Sequence, residues 1–108
     1  MKQLLSVLIV VVAFSGASAA ETFTGVVTDS MCPMGDHSRM RMGATDGDCA
    51  RACVSAHGAA FVLFDGKTAY VLKGQQPPAR FAGQKVRVVG TLDGKTKTIQ
   101  VESIAAAR

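Results

Sequence analysis

The sequence predicts an all-β domain, a small five-stranded barrel with one short helix between strands 1 and 2. Three observations lead there. Short runs rich in β-branched and aromatic residues alternate with turn residues along most of the chain. Two of the turns share the tripeptide Asp-Gly-Lys, at Asp65-Gly66-Lys67 and Asp93-Gly94-Lys95. Glycines fall inside two of the strands, as happens where a tightly curled sheet bends or bulges. So few strands favour closure, because an open sheet would leave long unpaired edges.

The elements follow in order. Residues 1–20, MKQLLSVLIVVVAFSGASAA, read as an export signal that is cleaved. Lys2 precedes an apolar run from Leu4 to Phe14, and Ala17-Ser18-Ala19 fits the small-residue rule for signal peptidase. The apolar run is shorter than the roughly 20 residues that span a bilayer, and no cysteine stands at the cleavage point to carry a lipid. The mature domain is then 21–108, exported (periplasmic or secreted), with no membrane span after cleavage.

Thr22 to Thr28 forms the first strand, with Gly25 marking a bulge or bend. From Cys32 to Gly47 no period holds, and Pro33, Gly35, Gly43 and Gly47 point to a loop. Asp46 or Asp48 caps a short helix running to His57, with Gly58 as its stop. Ala59 to Phe64 is the second strand, followed by the first Asp-Gly-Lys turn. Thr68 to Lys73 returns, with Ala69 and Val71 on one side and Tyr70 and Leu72 on the other. Gly74 to Gly83 is irregular around Pro77 and Pro78, with one helical turn at Ala79 to Phe81. Gln84 to Leu92 is a strand with Gly90 as its bulge, and Lys97 to Ile104 is the last strand. The tail from Ala105 to Arg108 is expected to fray. The order strand, excursion, hairpin, irregular crossover, hairpin is that of an OB-type barrel. A small β-sandwich or open meander is the alternative.

Three pieces carry a family resemblance: TGVVTDSMC; Cys49-Ala50-Arg51-Ala52-Cys53 with Gly58 and FVLF; and FAGQKVRVVGTLDGKTKTIQVESI. Together they resemble a family of small secreted bacterial domains of unknown function with an OB-like β-barrel. The resemblance spans nearly all of the mature chain. Phe81, Gly83, Val86, Val88 and Gly90 also match the pattern F-x-G-x-x-V-x-V-x-G, which is similar to the fourth strand of bacterial OB folds. The resemblance implies a fold and no activity.

Charge excludes one class of function. With Lys2 set aside, eleven basic and eight acidic residues remain, and the basic ones are scattered. There is no polybasic block, one Tyr and no Trp, which does not make a nucleic-acid surface.

The chemistry concentrates in the excursion 31–57, MCPMGDHSRMRMGATDGDCARACVSAH. It holds all three cysteines, both histidines and every methionine except Met1. Cys49, Cys53 and His57 recur every fourth residue and so share a helix face. Cys49 and Cys53, one helical turn apart, are badly placed to bridge each other.

Two readings stand. In the first, Cys32, Met34, His37, Met40, Cys49 and Cys53 hold a soft or borderline metal ion. Thiolates suit Cu(I) or Zn(II). The run Met34-x-x-His37-x-x-Met40 adds thioether and imidazole donors that survive oxidising conditions. Met31 and Met42 extend the methionine cluster in a loop with little core to fill. A copper-carrying OB barrel with Met and His ligands is similar in composition. This chain departs from it in lacking a Trp and in placing the donors on a loop.

In the second, Cys32 pairs with Cys49 or Cys53 in a disulfide, the ordinary fate of exported cysteines. Closing a loop on the order of 20 residues would stabilise so small a domain by about 3 kcal/mol. The stapled module would then bind a protein or carbohydrate partner without metal. His57 is assigned to the helix C-terminus, where it meets the dipole favourably. A Cys53–His57 nucleophile pair lacks an orienting acid and an oxyanion donor, and the thioredoxin spacing Cys-x-x-Cys is absent, so no enzyme is expected.

Overall fold

A computed structural model describes residues 19–36, 43–74 and 78–107. Residues 1–18 of the expected signal (1–20), the loop positions His37, Met40 and Met42, Pro77 and the C-terminal Arg108 lie outside the described residues. The chain is mostly β, with five strands in one sheet and one short helix: β1 (Glu21–Asp29), α1 (Asp46–His57), β2 (Phe61–Phe64), β3 (Ala69–Gly74), a 3-10 turn (Pro78–Phe81), β4 (Lys85–Asp93) and β5 (Thr98–Ala106). Among the described residues no helix is long and apolar enough to cross a membrane.

The strand order is β1-β2-β3-β5-β4, and β4 pairs back to β1, so the sheet closes on itself. All pairings are antiparallel except β3 with β5, which run parallel. β1 makes the closure by changing neighbours. Its first half, Glu21 to Val26, pairs with β4, and its second half, Val26 to Asp29, pairs with β2. Gly25 sits at that change. A Cβ there would run into the Phe64 carbonyl group, with its carbon 2.8 Å away. Gly25 therefore serves a close backbone crossing and not a bulge.

Alternation sets the core. Val86 and Val88 on β4 and Ile99 and Val101 on β5 face inward with Val27, Leu63, Leu72 and Ile104. Phe23, Phe61, Tyr70, Phe81 and Leu92 pack against this cluster from its margins. The inward spacing on β5 slips from two to three residues between Val101 and Ile104. The cause is a register shift in which Val89 faces Ser103 and Gly90 faces Val101. The irregularity expected at Gly90 is present, but the extra residue is Glu102 on the partner strand. Gly90 supplies the room: a Cβ would meet the Gln100 carbonyl oxygen and lie 2.8 Å from Ile99 Cγ2.

The two Asp-Gly-Lys turns differ. At the first, the Asp65 carboxylate accepts from the Lys67 and Thr68 amides, both at 2.8 Å, and Gly66 takes the positive φ of 102°. These amides hold the Asp65 carboxyl below the usual carboxylate range, Thr68 most strongly. At the second, Asp93 accepts from the Lys95 amide at 3.0 Å, and the left-handed residue is Lys97, at φ 52°.

Two expectations need correction. The tail does not fray at Ala105, because Ala105 and Ala106 pair with Arg87 and Val86, and the Ala107 amide donates to the Lys85 carbonyl at 2.9 Å. The helix cap is neither Asp46 nor Asp48. Thr45 is extended (φ −126°, ψ 164°) and its hydroxyl accepts from the Asp48 amide at 3.1 Å, so both aspartates fall in the first turn, where negative charge suits the helix dipole. Gly58 ends the helix in the left-handed conformation, as expected.

Candidate functional site: a buried thiol cluster beside Asp29

The site is assembled from the end of β1, the turn after it and the inner face of α1. β1 ends in two buried polar residues, Thr28 and Asp29. Asp29 folds the chain back. Its Oδ1 accepts from the Met31 and Cys32 amides, both at 3.0 Å, and its carbonyl accepts from the Cys32 amide at 3.2 Å. This is the local geometry that aspartate favours in turns. The Thr28 hydroxyl donates to the Cys32 carbonyl at 2.9 Å, so Cys32 is held from both preceding residues. Beyond the excursion, Ser30 and Ala60 exchange two hydrogen bonds, at 2.8 and 3.0 Å, closing its base.

Helix α1 packs on β1. It buries Gly47, Cys49, Ala50 and Cys53 and leaves His57 exposed in its last turn. The buried face expected from the spacing thus holds for the two cysteines and does not extend to His57. Arg51 ties the outer side of the helix to the 3-10 turn. It donates to the Ala79 carbonyl at 3.2 Å and pairs with Asp48 at 2.8 Å. That bond draws the Asp48 carboxyl below its ordinary range.

Cys32, Cys49 and Cys53 are all buried, at 8, 1 and 0% exposure, and no disulfide joins them. They lie within one electrostatic neighbourhood. Burial first, then Asp29 and Cys49, push the Cys32 thiol up. Cys53 is pushed up to about 11 by burial, then by Asp29, Cys49 and Cys32, and its side chain is hydrogen-bonded to that of Cys49. Three thiols from two segments and one fully buried carboxylate are thus buried and influence one another electrostatically.

Of the expected ligands, the structure brings together Cys32, Cys49 and Cys53. Met34 stays on the surface at 71% exposure, apart from the buried thiols, and Met31 is 41% exposed. His37 and Met40 lie outside the described residues. Among the described residues, no group of three or more His, Cys, Asp or Glu side chains could hold a metal ion as they stand. Asp29 was not expected in the site. The signal for it was the spacing Asp29-x-x-Cys32, which suits an aspartate turn, but nothing in the alternation of β1 marks its side chain as buried. Two shallow surface depressions, one beside Lys73, Thr91 and Gln100 and the other beside Thr24, Phe64 and Lys85, contain none of the cysteines.

No curated protein and no solved structure matches the chain. A family model described as "Protein of unknown function (DUF5818)" matches residues 53–107, just over half of the chain, beginning at Cys53 and running through β5. The resemblance read from the sequence extended further, to β1 and Cys49, which this match does not include. Through β2 to β5 and the Cys53 end of its helix, the chain belongs to the DUF5818 family of proteins of unknown function.

Proposed function

We propose that this is an exported, non-enzymatic binding protein with an OB-like barrel, whose buried thiol cluster takes a soft or borderline metal ion, Cu(I) or Zn(II). The observation that carries the reading is the convergence of Cys32, Cys49 and Cys53 in one buried neighbourhood. Thiolates are the donors that both ions favour. The ion gathers the thiols instead of entering a finished cage. Cys49 and Cys53 are one helical turn apart on a capped helix, and Cys32 rides on the turn that must close toward them. Metal binding is then coupled to the stability of the fold, as in other small metal domains. Met34, His37 and Met40 are further soft or borderline donors in the sequence of the same excursion.

Competition titration of the mature protein with Cu(I) and Zn(II) tests this. Cys32→Ser, Cys49→Ser and Cys53→Ser should each weaken binding while the sheet stays folded. Wild-type affinity in all three variants would refute the site.

A second reading is favoured by the shared burial of Cys32 and the two helix cysteines. In an oxidising compartment Cys32 pairs with a helix cysteine, and the stapled module binds a protein or carbohydrate partner, with the exposed Met31 and Met34 offering apolar contact. Under that reading Cys32→Ser costs about 3 kcal/mol of stability and no metal is bound.

A further inference from the structure

We propose that the outer face of the sheet, where β1 changes neighbours, binds a neutral sugar ring, with Phe64 and Val26 beneath the ring and Asp65 and Lys85 at its hydroxyls. The inference goes beyond the metal reading and does not involve the cysteines. It gives the carbohydrate partner of the second reading a place on the barrel, and rests on that part of the reading alone.

Strand register builds the site. Val26 is the residue of β1 that meets both neighbours: it lies opposite Phe64 on β2 and opposite Lys85 on β4. Residues directly opposite share a face of the sheet. Val27, next along β1, belongs to the core, so the row through Val26 looks outward. Phe64, Val26 and Lys85 therefore stand side by side across three strands, and Thr24, two residues back, extends the same face. The first Asp-Gly-Lys turn follows directly on Phe64. Together these residues line a depression of about 530 Å³, inside the range of roughly 300–1,000 Å³ common to small-ligand sites.

The lining selects the ligand. Val26 is one of the large apolar residues left exposed, at 36%, and Phe64 is half-buried. They form an apolar floor, and the C–H face of a pyranose is the part of a sugar that leaves water for such a surface. Asp65 is pre-set as an acceptor. The Lys67 and Thr68 amides use its Oδ1, at 2.8 Å each, and hold the carboxyl below the usual carboxylate range. Oδ2 is then left for ligand hydroxyls. Lys85, exposed, brings N–H donors from the other side of Val26. One carboxylate and one ammonium give the lining no net charge, which favours a neutral, hydroxyl-rich ligand over an anion or a cation. Arg87 stands opposite Thr24 in the next row and is not part of the lining. The depression beside Lys73, Thr91 and Gln100 also carries a Lys and an Asp, but it has no aromatic ring to serve as a floor.

The test follows backbone amide shifts of the mature protein by NMR. Glucose, galactose, N-acetylglucosamine and their β-linked oligomers are the neutral probes, with galacturonic acid and glucosamine as charged ones. A neutral sugar should give saturable shifts centred on the amides of Thr24, Val26, Phe64, Gly66 and Lys85. Asp65→Asn keeps an oxygen for both turn amides and removes the charge, and should weaken that sugar by at least about tenfold. Lys85→Gln should weaken it roughly threefold to tenfold. Asp93→Asn makes the same change in the sister turn, away from the site, and should leave the affinity as it is. Wild-type affinity in both Asp65→Asn and Lys85→Gln, shifts centred elsewhere on the barrel, or a preference for a charged probe would overturn this site and leave carbohydrate binding standing. No saturable shift with any probe would overturn the site and the carbohydrate reading together.

Discussion

Thiol reactivity gives a quantitative handle on the cluster. Take the metal-free, reduced protein and follow alkylation of Cys53 against pH. An ordinary cysteine titrates near 8.5, so about a quarter of it is thiolate at pH 8. Cys53, pushed up to about 11, would be thiolate about one part in a thousand. The more basic thiolate is intrinsically more nucleophilic, with a Brønsted slope near 0.4–0.5, which returns about a factor of ten. Protonation alone then slows Cys53 roughly 25-fold relative to the urea-unfolded chain. Complete burial slows it further.

The diagnostic is the slope. The logarithm of the native rate should climb by about one per pH unit past 9 and bend only near 11. The measurement is mass-resolved alkylation with iodoacetamide in native buffer and in urea. A native rate that levels off between pH 8 and 9 would refute the buried, carboxylate-flanked setting of Cys53. Linkage fixes the sign for stability as well. The folded thiol is the weaker acid, so its contribution is complete below about pH 8.5 and is lost as pH rises through 11.

Three further outcomes follow from the fold. Gly90→Ala should destabilise by about 1–3 kcal/mol in a urea titration, since its Cβ would collide with the Gln100 carbonyl and Ile99 at the β4–β5 register shift. Thr45→Ala removes the cap of α1 and should cost about 1 kcal/mol. It should also quicken hydrogen exchange at the Asp48 amide and accelerate alkylation of Cys49. Lys97→Gly should raise the melting temperature, with a gain of up to about 1 kcal/mol, by relieving a left-handed lysine. An unchanged or lower melting temperature would show that the second hairpin is set by something other than that residue.

Much of the fold was legible because local rules and tertiary packing agree there. Val86, Val88 and Gly90 read as a strand with a disturbance, and Gly66, Gly58 and the 3-10 turn before Gly83 fall where turn chemistry puts them. The misses have physical causes. Glu102, not Gly90, is the extra residue, because the sequence shows where room is needed and not which partner uses it. Ala105 and Ala106 carry little strand signal of their own and are held by β4. Thr45 precedes two aspartates that cap equally well on paper, and its extended backbone decides between them.

At the site, Cys49 and Cys53 were readable from helical spacing, whereas the approach of Cys32 depends on the turn made by Asp29. Asp29 itself was hidden, since Val27, Thr28 and Asp29 are buried in succession and so break the alternation that reveals a strand's inner face.

The most direct test of the thiol cluster as a metal site is the intact mass of the exported protein, first native and then denatured with an alkylating agent. The metal reading predicts a native mass raised by one ion and three alkylated cysteines after denaturation. One alkylated cysteine, with no metal even after Zn(II) or Cu(I) is offered, would contradict it and leave a disulfide-stapled barrel.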